Sequence, residues 1–229
     1  MLVTGASGTV GTAILQALTP RWAGPIVAFG RTCPRPSGGR HIRFFSVDLA
    51  DEAMVRRAAA QVAGGQPIAG LVCAAGLDSR ARLDDFALDT AGPCMQVNAW
   101  AHVELLRAAL TSRTSAKFAT NDQQNALPVV VVSSDVVGGS LPATLVYAAT
   151  KAAVEETFRH AAADLAPPGI ALLIVRLPDI GVPMRSATPG PPPPPRGGRQ
   201  PRPLLTAAAV AVASFLTVPK PSLVEVWDG

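Results

Sequence analysis

The chain is expected to fold as an α/β protein, built on a doubly wound, mostly parallel sheet of seven strands with helices on both faces. Three observations predict this. Short apolar runs of strand length alternate with segments of helical period along all 229 residues, the pattern that joins parallel strands through helical crossovers. Hydrophobic residues make up 48% of the chain and charged residues 16%, which suits a sheet covered on both faces better than a disordered or coiled chain. Finally, an opening apolar strand runs into T-G-A-S-G-T-V-G and then a helix. That order aims backbone N–H groups and a helix dipole at an anion such as a pyrophosphate.

The elements follow in sequence. A strand at Met1–Val3 precedes Gly5, Gly8 and Gly11, and the amphipathic Thr12 to Leu18 makes a helix of Gly11–Leu18. Apolar runs at Ile26–Phe29 and Arg43–Ser46 read as strands, and Glu52–Val62 reads as a helix. Gly70–Cys73 gives the fourth strand, Ala91–Leu110 a long helix, and the valine-rich Val129–Ser133 the fifth strand. Tyr147–Leu165 is an alanine-rich helix, followed by a strand at Ala171–Val175, a helix at Thr206–Leu216 and a closing strand at Leu223–Val226. Two stretches break the rhythm. Thr111 to Pro128 reads as a polar surface insertion. Pro183 to Pro203 contains P-G-P-P-P-P-P-R-G-G-R, which suits neither a helix interior nor a central strand and is expected to be polyproline-like, either a lid over the site or a solvated linker. No internal repeat is evident, and the length suits a single domain over 1–229.

The residues that carry chemistry lie in the second half. In Y-A-A-T-K, Tyr147 and Lys151 stand four apart on a helix, so both side chains lie on one face, one turn from each other. An unperturbed phenol titrates near ~10, and a fixed ammonium within a few ångströms favours its ionised form. Alone, such a pair usually means only surface packing. Together with an anion-binding turn at the start of the chain, it reads as a tuned acid/base beside a dinucleotide.

With these residues in place, the chain resembles the short-chain dehydrogenase/reductase family along its whole length. The pieces occur in the family's order: Gly5, Gly8 and Gly11; Arg31 after the second strand; Asp48-Leu49 after the third; C-A-A-G (Cys73 to Gly76) after the fourth. Then come Asn98 in the following helix, Ser134 closing the fifth strand, Y-A-A-T-K, and the terminal V-E-V-W-D-G. Thirteen residues separate Ser134 from Tyr147, the family's usual interval, which selects Ser134 over Ser133. The resemblance implies a Rossmann-type fold in which Asn98, Ser134, Tyr147 and Lys151 are catalytic. It also implies a cofactor held by Gly5, Ser7, Gly8, Val10, Gly11, Arg31, Asp48, Leu49, Ala74, Ala75, Gly76, Asn98, Tyr147, Lys151, Pro178 and Ile180. By that resemblance Tyr147 gives a proton to a carbonyl oxygen that Ser134 polarises, and Lys151 holds the nicotinamide ribose. Asn98 would bind a water in the proton path, and Asp48 would accept from the adenine amino group unless it serves as a helix N-cap near Asp51.

Charge points to NADPH, with NAD possible. Where the family's NAD-binding members carry an acidic residue at the end of the second strand, this chain has Gly30 followed by Arg31, whose guanidinium suits a 2′-phosphate; Arg35 and Arg40 are alternatives. The substrate is expected to be a small-molecule carbonyl or alcohol, and the assembly a homodimer or homotetramer through the helices bearing Asn98 and Tyr147. Departures from the family pattern are Asp179 in place of a glycine, Pro183 in place of a threonine, and a glycine turn of the form T-G-x-x-G-x-x-G. Asp179, Pro183 and the proline-rich stretch keep open a second reading, a nucleotide-binding member with lost or redirected redox activity, serving as a regulator, a scaffold or a non-redox tailoring enzyme.

Other classes are excluded by composition and spacing. A net charge of +4 comes from dispersed arginines with only 5% aromatic residues, which argues against nucleic acid as a partner. His41, His102 and His160 are far apart and lack metal-ligand spacing, and Cys33, Cys73 and Cys94 form no such cluster. The three thiols suit a reducing cytoplasm, with no leader expected before the first strand and no partnership with a membrane. Leu204 to Val218 reads as a buried helix, Trp22 and Trp100 as packing residues, and Asp84-Asp85 as a solvated helix entry.

Overall fold

The computed structural model describes residues 1–33, 41–79, 81–114, 126–165, 169–180, 184, 201–218 and 223–227. Among the described residues seven strands form one sheet: β1 (Leu2–Thr4), β2 (Ile26–Gly30), β3 (Ile42–Ser46), β4 (Leu71–Cys73), β5 (Leu127–Ser134), β6 (Ile170–Leu177) and β7 (Leu223–Trp227). Their order across the sheet is β3-β2-β1-β4-β5-β6-β7, and every pairing is parallel. The chain turns back on itself between β1 and β4, so the crevice at their carboxyl ends is the topological switch point where open α/β sheets bind ligands.

The central strands are apolar on both faces because helices cover both. On one side α1 (Thr9–Leu18) and α6 (Pro201–Thr217) bury Ile14, Leu15, Leu18, Val212, Phe215 and Leu216 against Val3, Val72, Val130 and Val175. On the other, α2 (Glu52–Ala63), α3 (Leu88–Met95), α4 (Ala101–Thr114) and α5 (Leu145–Asp164) bury Val55, Leu105 and Phe158 against Leu2, Leu71, Val129 and Ile174. Among the described residues no helix is long and apolar enough to cross a membrane, and no group of metal-ligating side chains gathers.

Several expectations change in detail. The long helix expected over Ala91–Leu110 is α3 and α4 joined by a π-helical turn at Gln96–Trp100, so one extra residue is wound in where Asn98 sits. Pro201 and Pro203, expected within the polyproline-like stretch, lie in the first turn of α6, where N–H groups have no intrahelical acceptor and a proline is tolerated. β5 begins at Leu127 and takes in Pro128, and Trp100 is 52% exposed on the π turn instead of packed. Asp51, not Asp48, caps α2, its Oδ1 accepting from Met54 N at 3.0 Å. Arg35, Arg40, Pro183, most of the 111–128 insertion and the five prolines at 191–195 lie outside the described residues.

Candidate active site

The glycine turn is shaped by close backbone contacts. Gly5 has φ +63°, a left-handed conformation that favours glycine, and a Cβ there would lie 2.6 Å from Ala75 N and 2.7 Å from the Ala74 carbonyl carbon. A Cβ on Gly11 would run into the Gly5 carbonyl oxygen. Gly8 caps α1 without a side-chain bond, and the first turn carries no acidic residue, so the helix dipole faces the crevice unneutralised by its own chain. Ser7 and Val10 are half-buried beside this turn.

Thr4 ties the turn to the other wall of the crevice. Its Oγ1 accepts from Ala74 N at 3.1 Å and Ala75 N at 3.2 Å, and stands 3.0 Å from His102 Nε2. His102, 1% exposed, has Nδ1 3.2 Å from the Asn98 carbonyl oxygen. A carbonyl only accepts, so Nδ1 carries the hydrogen and Nε2 is left to accept, sharing the Thr4 hydroxyl proton with Val72 O at 3.2 Å. Burial pushes this imidazole down to about 4, which keeps it neutral at ordinary pH.

Asn98, also 1% exposed, spends its amide on the fold. Its Oδ1 accepts from Leu77 N at 2.7 Å, and its Nδ2 donates to Leu77 O at 2.9 Å and to Thr150 Oγ1 at 2.8 Å. Thr150 in turn donates to Tyr147 O at 2.9 Å, so Asn98 braces the first turn of α5.

On that helix the spacing expectation becomes geometry. Lys151 is 3% exposed, its Nζ lying 5.6 Å from the centre of the Tyr147 ring and donating to Val132 O of β5 at 2.9 Å. Burial pushes its ammonium down to about 8, opposed by Cys73, Glu155 and Asp78. Burial also drives the Cys73 thiol far above its usual range, so the charges that oppose at neutral pH are the two carboxylates. The Tyr147 hydroxyl donates to Met184 Sδ at 3.6 Å, and a Cβ on Gly76 would meet Met184 Cε at 3.3 Å and Lys151 Nζ at 3.6 Å. Gly76, Met184, Tyr147 and Lys151 therefore lie together just beyond the carboxyl end of β4. Ser134, 7% exposed at the end of β5, donates to Asp135 Oδ1 at 3.3 Å, whereas Ser133 donates its proton to Glu155 at 2.6 Å.

The remaining predicted residues sit around the crevice. Gly30 closes β2, and a Cβ there would lie 3.0 Å from Ser7 Oγ; Arg31 follows, exposed. Asp48 accepts from Ala50 N at 3.0 Å within its own turn, and Leu49 is buried with its carbonyl 3.4 Å from Gln96 Nε2. Pro178 and Ile180 are half-buried just beyond β6. A turn with no room for a Cβ at Gly5 or Gly11, a helix N-terminus with no side-chain cap and a buried ammonium beside a phenol together suit a dinucleotide. Sequence reading missed Thr4, Thr150, Met184 and the buried Glu155. Thr4 and Thr150 stood inside quoted motifs, while Met184 offers no signal before folding.

The family described as short chain dehydrogenase matches residues 1–190. Serine dehydrogenase from Escherichia coli is similar in structure, with a TM-score of 0.74 at 17% identity, over 100% of this chain and 95% of that one. An alcohol dehydrogenase from the archaeon Thermococcus sibiricus, complexed with 5-hydroxy-NADP, gives 0.74 at 21% identity, over 100% and 94%. NADPH-bound carbonyl reductase from chicken fatty liver gives 0.61 at 21% identity, over 76% and 77%. No curated protein matches the chain.

Proposed function

Since the chain belongs to the short-chain dehydrogenase family and is an NAD(P)-dependent oxidoreductase, we propose that it is an NADPH-dependent carbonyl reductase, or in reverse an alcohol dehydrogenase, acting on a small molecule. The observation that carries this reading is the Lys151 ammonium, buried against β5 and 5.6 Å from the Tyr147 ring. The nicotinamide supplies the hydride when bound. Tyr147 holds the proton that goes to the substrate oxygen, and Lys151 favours the phenolate left behind. Ser134 turns its hydroxyl from Asp135 toward the same oxygen, a donor placed where negative charge develops. Asn98 fixes the backbone of Leu77 and, through Thr150, the start of α5.

In this reading Gly5, Ser7, Gly8, Val10 and Gly11 receive the pyrophosphate, Asp48 and Leu49 flank the adenine, and Ala74 to Gly76 with Pro178 and Ile180 line the nicotinamide end. Preference for NADPH is supported by the end of β2, where Ser7 stands against Gly30 and leaves no carboxylate, and by exposed Arg31 beside it. The relatives solved with 5-hydroxy-NADP and NADPH point the same way. Arg31→Ala is expected to weaken NADPH binding about tenfold or more, the scale of a charge-assisted phosphate contact, while leaving NADH binding alone. Equal effects on both cofactors in a fluorescence titration would remove this assignment. The three free thiols support a cytoplasmic location.

The reaction itself is tested by following NADPH absorbance with diacetyl, ethyl acetoacetate and para-nitrobenzaldehyde. Turnover is expected, and Tyr147→Phe should lower it by a factor on the order of 10² to 10⁴. The second reading, a nucleotide-binding protein without turnover, is favoured by the Met184 thioether resting on the Tyr147 hydroxyl. Tight NADPH binding with no consumption across the panel would select it.

A further inference from the structure

One buried carboxylate is used by neither the proton transfer nor the cofactor cradle. Glu155 lies one turn beyond Lys151 on α5 and is 1% exposed. Its Oε1 accepts from Ser133 Oγ at 2.6 Å and from Arg176 Nε at 2.9 Å, and its Oε2 accepts from Arg176 Nη2 at 2.7 Å. Arg159 Nη2 stands 3.8 Å away. Ser133 and Arg176 are register partners near the carboxyl ends of β5 and β6. A single side chain thus ties two strand ends to the helix that bears Tyr147 and Lys151, and the strand residue it grips is the immediate neighbour of Ser134.

We propose that Glu155 is a positioning residue: it seats the ends of β5 and β6 against α5 and so sets where the Ser134 hydroxyl stands relative to the Tyr147 hydroxyl. The inference rests on the catalytic reading of those two residues. A bidentate guanidinium–carboxylate pair with a third donor at 2.6 Å is directional in a way that apolar contact is not. A buried pair of this kind is weak evidence for net stability, which leaves geometry as what the trio contributes. Reacting groups must be held tightly, since a misplacement of about 1 Å costs on the order of 10²-fold in rate.

Glu155 also acts on Lys151 through charge. The groups facing Lys151 are Cys73 on β4, Asp78 just after it, His102 on α4, and Tyr147 and Glu155 on α5. Glu155 itself faces Arg176 on β6 and Arg159 on α5. With Cys73 a thiol and His102 neutral, Glu155 and Asp78 supply the negative charge. Removing the charge of Glu155 takes away one of the two carboxylates that favour the Lys151 ammonium, and Lys151 then gives up its proton at lower pH.

The test uses the full chain as wild type, E155Q, E155D, S133A and R176K, with Y147F as a control and diacetyl as the probe substrate. E155Q is expected to keep its NADPH Kd within about threefold while kcat falls on the order of 10²-fold. The alkaline limb of its kcat/KM profile should move to lower pH. S133A and R176K should lower kcat with that limb unmoved, and E155D should keep the limb and lose kcat. A wild-type kcat in E155Q overturns the proposal. So does a loss of kcat, affinity and thermal stability in proportion, with the limb unmoved, which is what a merely structural role predicts. If E155Q does not fold, S133A carries the test, and a wild-type kcat there overturns it.

Crystal structures of wild type and E155Q with NADPH read the geometry without turnover. A widened Ser134 Oγ to Tyr147 Oη separation supports the proposal, and an unchanged one overturns it. Y147F separates the two layers: if Y147F reacts like wild type, the catalytic reading fails and takes the proposal with it. If Y147F is dead while E155Q is normal, only the role of Glu155 fails.

Discussion

An ammonium at 3% exposure has lost most of its hydration, and Lys151 keeps its charge only up to about pH 8. In the proposed reaction the protonated form steadies the phenolate and grips the ribose, so activity is expected to fall as pH rises through about 8. The kcat/KM profile, which reports the free enzyme, is expected to show its alkaline limb there; a limb near the ordinary lysine range would contradict it. His102 gives the opposite end of the scale. Burial pushes it from 6.5 down to about 4, with the Asn98 carbonyl opposing and Lys151 adding to the effect. The unfolded chain takes up this proton near 6.5 and the folded one only near 4, so stability is lost as pH falls across that window. Between about pH 7 and 5 the loss is on the order of 2 kcal/mol. Urea unfolding of wild type and His102→Gln at both values checks this: the variant should lose less stability than wild type over the same interval.

At the scale of elements, the first turn admits little change. Alanine at Gly5 would meet both a left-handed φ and the backbone of Ala75, so Gly5→Ala is expected to cost roughly 2 kcal/mol or more and to weaken NADPH binding. A variant that melts and binds like wild type would show that the turn relaxes. This turn was legible in the sequence because glycine spacing after an apolar strand has a narrow range of physical causes. The parallel strands were legible for a related reason: a run such as Val129–Val132 is apolar on both sides only where helices cover both faces. The π turn was not, since hydrophobic spacing continues across it while one residue is wound in. Proline likewise misled at Pro201 and Pro203, where position in the first turn outweighs the ring's helix-breaking character. Of the candidate site, Tyr147 and Lys151 could be read from local spacing. The Glu155, Ser133 and Arg176 trio could not, because it joins a helix to two strands. Its only trace was a charge one turn beyond Lys151 and another inside the apolar run Ile170–Leu177.

For the whole molecule, the sheet order gathers the ends of β1, β4 and β5 at one rim, and α3 through α5 leave apolar surface beside it. Trp100 is 52% and Leu145 46% exposed, and a cleft of about 390 Å³ is lined by Leu83, Phe86, Ala91 and Met95 on one side and by Leu145, Val146, Ala149 and Thr150 of α5 on the other. A homodimer or homotetramer formed through this face is expected, and Trp100→Glu should shift the mass measured by light scattering toward the monomer. A monomeric wild type would remove that assembly. One consequence of composition reaches back to the pair on α5. Tyr147 is the chain's single tyrosine, so the ultraviolet difference spectrum recorded during an alkaline titration belongs to this one chromophore, free of overlapping phenols. Comparing that curve between wild type and Lys151→Met reads the coupling between ammonium and hydroxyl directly, with neither label nor substrate.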